Sequence, residues 1–259
     1  MLQLLRTAAA EFGLKAELAG LELGDQLGNL VELEAQLAAS RARRKLIVTD
    51  AVFSMDGDLA DLPGLLELCQ RHDAWLLLDD AHGFGVLGRG GRGTLAHYDL
   101  KSPRVIYMAT LGKAAGVFGA FVAGETDLVE TLVQRARPYV YTTAAPPLLA
   151  HALARSLELI EREEWRRERL RALVGLLRGC FEPARWRLAA SGTPIQPLII
   201  GGNEEAMAVS AELAREGLLV PAIRPPTVPR GTARLRISLS AAHEVADLER
   251  LARVLAALQ

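Results

Sequence analysis

A chain of 259 residues, half of them hydrophobic and 24% charged, can bury a sizeable core and form one large or two modest domains. Thirty basic residues stand against 31 acidic ones, a formal net charge of −1, so no strong field exists to recruit nucleic acid or an anionic membrane surface. The two cysteines, Cys69 and Cys180, show neither a disulfide framework nor zinc-site spacing; no metal is expected, and a reducing, cytoplasmic setting follows.

Residues 1–40 read as helical, because Leu and Ala recur at three- and four-residue spacing through LVELEAQLAAS, and they carry no recognisable chemistry. Arg6 breaks the opening apolar stretch, and no apolar run reaches the roughly 18 residues of a spanning helix, so neither anchor nor export signal is expected. The runs KLIVTD, AWLLLDD and RVIYMAT then alternate with helical segments such as LADLPGLLELCQRHD, the pattern of βαβ units in a mainly parallel sheet. From Pro146 a long amphipathic stretch predicts a connecting helix pair that ends near Gly179. Beyond it IQPLIIGG, GLLVPAI and RLRISLS read as strands, with helices at EEAMAVSAELAREG and HEVADLERLARVLAAL. The chain is thus α/β, divided into a large domain over residues 1–160 and a smaller C-terminal α/β domain over residues 161–259.

Three places carry candidate chemistry. Asp79 to Gly83, DDAHG, follows an apolar strand, and ligands of open parallel sheets gather outside the carboxyl ends of strands; an Asp there can equally cap the next turn. Lys113, in YMATLGKAAGVFGAFVAG, lies between a strand and a glycine-spaced apolar stretch where a surface charge is out of place. A lysine withdrawn from water suits Schiff-base chemistry with an aldehyde cofactor, whereas a snorkelling surface lysine is the bland alternative. In IRPPTVPRGTARLRISLS, Arg224, Arg234 and Arg236 flank a proline-fixed loop that feeds a strand, and arginine suits the bidentate grip of a carboxylate. Arg234 and Arg236 share one strand face, and one or both could simply be solvated. Gly88 to Gly93 satisfies GxGxxG, but the preceding strand ends near Asp80 and no helix opens within the motif, so a dinucleotide site is not expected.

Taken together, VTDAVFSMDGD (48–58), LLLDDAHGFGVLGRGGRG (76–93), ATLGKAAGVFGAFVAG (109–124), YVYTTAAPP (139–147) and IRPPTVPRGTARLRISLSAAHE (223–244) resemble the α-oxoamine synthases, which are fold-type I enzymes dependent on pyridoxal 5'-phosphate (PLP). The resemblance spans roughly residues 30 to 259. It implies a PLP-dependent transferase in which Lys113 carries the cofactor as a Schiff base and Asp79 partners the pyridine nitrogen. It further implies that His82 and Ser54 hydrogen-bond the phenolic oxygen, that Thr110 binds the phosphate, and that Thr142 or Thr143 reaches in from a second subunit of a homodimer. Arg236 is the implied anchor of the substrate carboxylate, with Arg224 as a nearby substitute. Within the family, DDAHG and RPPTVPRGTARLR favour a decarboxylative condensation of L-alanine with a pimeloyl thioester, carried on coenzyme A or an acyl carrier protein. A sister enzyme using glycine or serine, and a non-catalytic binding or dimerising module, are the competing readings. Family members begin well upstream of Met1, and their glycine-rich phosphate loop and ring-stacking histidine find no counterpart here. The expectation is an N-terminally incomplete large domain that holds PLP weakly and turns over slowly or not at all.

Overall fold

In the computed structural model, which describes residues 30–181 and 185–258, each apolar run named above becomes a strand. β1 (Lys45–Asp50), β2 (Ala74–Asp79) and β3 (Val105–Thr110) pair in parallel, and the short β4 (Ala120–Ala123) closes the order β1-β2-β3-β4 by running antiparallel to β3. The two-residue period places Ala74, Leu76 and Leu78 inward and fully buried, leaving Trp75 exposed on the opposite face. Two helices, α1 (Leu30–Ala39) and α2 (Leu62–Arg71), bring Leu37, Leu62, Leu65, Leu66 and Cys69 onto the buried face. Asp61 starts α2 by accepting the Gly64 N–H through its side chain at 3.1 Å, with Pro63 preset for the first turn. Of the helix expected over residues 1–40, Leu30–Ala39 is observed and ends before Ser40; residues 1–29 lie outside the described residues.

A four-residue helix α3 (Thr94–His97) precedes β3; after β4 come α4 (Thr126–Arg135) and α5 (Arg137–Val140). The expected helix pair is α6 (Pro147–Arg162) and α7 (Glu164–Cys180), broken at Glu163, whose φ −98° and ψ 63° leave the helical region. α6 buries none of its residues among those described, whereas α7 packs Leu173 and Leu177 into a second core.

That core lies on a second sheet ordered β5-β6-β8-β7, built from β5 (Arg187–Leu188), β6 (Ile195–Gly201), β7 (Ala222–Ile223) and β8 (Ala233–Ser238), all antiparallel. The expected strand GLLVPAI shrinks to Ala222–Ile223, because Pro221 has no N–H to donate to a ladder and offers only its carbonyl, to Arg236 N at 2.9 Å. α8 (Asn203–Arg215) and α9 (Val245–Ala257) cover the sheet with Val209, Leu213, Leu248, Leu251 and Leu255. A capping box fixes the start of α9, where the Glu244 N–H donates to Asp247 Oδ2 at 2.8 Å.

Candidate functional site

Parallel strands end together, so the carboxyl ends of β1, β2 and β3 bring Asp50, Asp79 and Thr110 to one rim of the first sheet. Asp50 stands directly across from Asp79 in the strand register. Asp79 is half-buried and accepts the Ala81 N–H on Oδ1 at 3.0 Å, and the turn that follows lifts His82 beside it. Lys113 leaves the end of β3 and donates from Nζ to Thr110 Oγ1 at 3.1 Å.

Electrostatics tie these groups to the second sheet. Burial pushes the His82 imidazole down to about 4, with the charges of Lys113 and Arg236 adding to the effect and Asp79 opposing it, so the ring is neutral near pH 7. Burial also raises the Asp50 carboxyl above its ordinary range; the Asp79 charge reinforces this and the Lys113 charge counters it. Arg236 is half-buried and burial pulls its guanidinium below the usual value. Its Nε donates to the Ser54 carbonyl at 2.7 Å and Nη1 to Ser238 Oγ at 2.8 Å, yet no carboxylate pairs with it among the described residues. A half-buried cation without an anion is poised to take one as a ligand.

Directly behind the rim, Asp80 is fully buried and accepts the Thr94 N–H at 2.6 Å, Thr94 Oγ1 at 2.6 Å and the Tyr107 hydroxyl at 2.8 Å. Burial raises its carboxyl and those donors oppose the rise. This network gives the GRGGRG motif its meaning. Gly93 has φ +85°, and a Cβ there would stand 2.2 Å from Asp80 Oδ2 and 2.4 Å from the Tyr107 hydroxyl oxygen. The glycine-rich turn therefore packs around Asp80, in a short 3-10 turn over Arg89–Gly91, with no strand leading into it and only the four-residue α3 following its last glycine.

The structure brings Asp79, His82, Ser54, Thr110, Lys113 and Arg236 to one region and leaves three expected residues apart. Thr142 and Thr143 are exposed between α5 and α6, with no hydrogen bond drawing them to Lys113 among the described residues, and Arg224 is exposed. Lys113 itself corrects the expectation of a residue withdrawn from water: it is exposed, as are Gly112 and Ala114 beside it, and nearby Phe118 is 85% exposed. Neither strand arginine is simply solvated, for Arg234 is only 3% exposed and ion-pairs with Asp56. The sequence reading did not single out Asp50, a carboxylate at a strand end like Asp79, which the register sets beside it.

The model for aminotransferase class I and II matches residues 24–255. The chain belongs to that aminotransferase class I and II family. Its curated relatives include 8-amino-7-oxononanoate synthase of Nitrosospira multiformis, 64% identical over 227 residues that make up 88% of this chain and 57% of the relative. The synthase of the same name from Aromatoleum aromaticum is 65% identical over 232 residues, 90% of this chain and 60% of the relative. The chain thus spans about three fifths of the length of these relatives. Among solved structures, Sphingomonas wittichii serine palmitoyltransferase superposes with a TM-score of 0.81 at 29% identity, covering 88% of this chain and 58% of that one. The 8-amino-7-oxononanoate synthase of Francisella tularensis gives 0.75 at 27% identity, over 87% and 66%. A further neighbour, also at 0.81 and 29%, is an SPT solved with its PLP internal aldimine. This class I and II aminotransferase chain has the fold-type I architecture, with the three parallel strands and antiparallel β4 described above.

Proposed function

We propose that this chain forms the greater part of an 8-amino-7-oxononanoate synthase, a PLP-dependent acyltransferase of biotin biosynthesis that condenses L-alanine with a pimeloyl thioester and releases carbon dioxide and the thiol. The observation that carries the reading is the convergence of Lys113, Thr110, Asp79 and His82 at the strand ends with an unpaired, half-buried Arg236 facing them. The identity of 64% and 65% to two synthases of that name supports the choice of substrates.

The donor set suits PLP. Lys113 offers an accessible amine for the aldehyde carbon, Asp79 a carboxylate for the protonated ring nitrogen, and His82 a neutral imidazole able to hydrogen-bond the phenolic oxygen. Ser54 shares that last task, and Thr110 takes the phosphate with help from Thr142 or Thr143 of a second subunit. When bound, PLP supplies an electron sink that stabilises negative charge at the substrate α-carbon. The protein's own work is orientation and proton movement. Arg236 fixes the alanine carboxylate, with Arg224 as the substitute cation, and Lys113 Nζ, once free, takes the α-proton. In this reading residues 1–160 belong to the large PLP-binding domain and residues 161–259 form the small one. The working form is a cytoplasmic homodimer fed by coenzyme A or by an acyl carrier protein.

The test is to add PLP, reduce with borohydride and map the labelled peptide. Label on Lys113, lost in Lys113→Ala, supports the reading. L-alanine, glycine and serine, each given with pimeloyl thioester, then identify the amino acid by its product. Absence of label, or label spread over surface lysines, would leave a non-catalytic module as the better description, and a product from serine or glycine alone would move the chain to a sister synthase.

A further inference from the structure

The turn that carries Ser54 is gripped at four consecutive residues by β8 and by the segment between β5 and β6. Phe53 to Asp58 folds back on itself, with the Phe53 N–H donating to the Asp58 carbonyl at 3.0 Å and the Gly57 N–H to the Phe53 carbonyl at 2.8 Å. Arg236 Nε holds the Ser54 carbonyl, Arg234 Nη1 reaches the Met55 carbonyl at 3.5 Å, and Arg234 pairs with the Asp56 carboxylate. The Gly57 carbonyl accepts from both Ser191 Oγ at 2.8 Å and Thr193 Oγ1 at 2.9 Å. Gly57 has φ +71°, and a Cβ on it would sit 2.3 Å from the Ile195 carbonyl oxygen and 2.5 Å from Ser191 Oγ, so the turn is seated in a cradle that only glycine fits.

The two strand arginines divide their labour. Arg234 is spent on structure: besides Asp56, its Nε donates to the Thr232 carbonyl and its Nη2 to Thr232 Oγ1, both at 3.1 Å. Among the described residues Arg236 keeps Nη2 uncommitted, and its Nε is held by the Ser54 carbonyl, two residues from Asp56. We propose that the Arg234–Asp56 pair and the Gly57 cradle act as a latch that sets Arg236 for a substrate carboxylate, which makes Arg234 and Asp56 positioning residues. Loosening Asp56 frees the Ser54 carbonyl, and with it the orientation of the guanidinium. The proposal rests on the assignment of Arg236 as the carboxylate anchor.

The experiment uses Asp56→Asn, with Asp56→Glu as the charge-conserving rescue, in the full chain. Without cofactor, hydrogen exchange at the Phe53 and Gly57 amides is expected to speed up in Asp56→Asn. With PLP bound, L-alanine and L-alaninamide are titrated through the cofactor absorbance: L-alanine should weaken about tenfold in Asp56→Asn while the amide, lacking the carboxylate, stays within about twofold. Asp56→Glu should recover much of the loss. Equal weakening of both ligands, unchanged L-alanine binding, or unchanged exchange each overturns the latch. If the unmutated chain fails to bond PLP, the functional reading fails, and the exchange measurement alone decides whether the latch exists.

Discussion

The depressed His82 imidazole has a direct cost in acid. The folded protein prefers the neutral ring, so between pH 6.5 and about 4 the unfolded chain binds a proton that the folded one refuses. Stability from this group is fully present above pH 6.5 and is lost as pH falls to about 4. At 1.36 kcal/mol per tenfold change the gap amounts to roughly 3 kcal/mol, which solvent screening of a half-buried ring trims to roughly 2 kcal/mol. Urea denaturation of wild type and His82→Asn at pH 7 and pH 4 isolates the effect, since every other titrating group is shared. Wild type should lose roughly 2 kcal/mol more than the variant on acidification. Because Lys113 contributes to the depression, Lys113→Ala should move the His82 ring titration, followed by NMR, upward. An imidazole titrating near 6.5 in wild type, or equal acid losses in both proteins, would refute the reasoning.

Three further expectations concern stability and reactivity. Cys69 is fully buried and burial pushes its thiol up to about 11, so at pH 8 about one thiol in a thousand is ionised, and a disulfide reagent should label exposed Cys180 at once but Cys69 only on unfolding. Asp80→Ala strands the Thr94 and Tyr107 donors and should cost about 3–5 kcal/mol by denaturant titration, whereas loss of under about 1 kcal/mol would mean the network is dispensable. Leu235→Ala, at a fully buried position in β8, should cost about 2–5 kcal/mol by the same measurement, while Leu219→Ala, 92% exposed, should cost almost nothing.

Much of the architecture was legible because the signals are local. KLIVTD, AWLLLD and VIYMAT are short and bounded by turn residues, and Asp79 and His82 adjoin one of them in sequence, so strand and candidate site were read together. β4 was not legible: AFVA is four residues long, follows a stretch with glycines at 112, 116 and 119, and pairs only because β3 lies beside it. The nearness of Asp50 to Asp79 was hidden because it arises from the parallel register of β1 and β2, which no local signal states. The duties of Arg234 were hidden by distance, since its partner Asp56 lies 178 residues away, and no periodicity in β8 separates a paired arginine from a free one. The exposure of Lys113 was equally invisible, because covering a side chain is a property of tertiary neighbours.

The β3–β4 pairing has a consequence in time. Lys113 sits in a loop closed by the Leu111 N–H on the Gly119 carbonyl and the Val117 N–H on the Leu111 carbonyl, each at 2.9 Å, between strands paired from Tyr107 with Ala123 to Thr110 with Ala120. All of these bonds fall within residues 105–123. Arg236, in contrast, reaches Ser54 across 182 residues of chain. Short-range closures form early and long-range ones late, because the entropy of closing a loop grows with its length. A folding chain is therefore expected to close the loop around Lys113 and Thr110 before Arg236 reaches the Ser54 carbonyl.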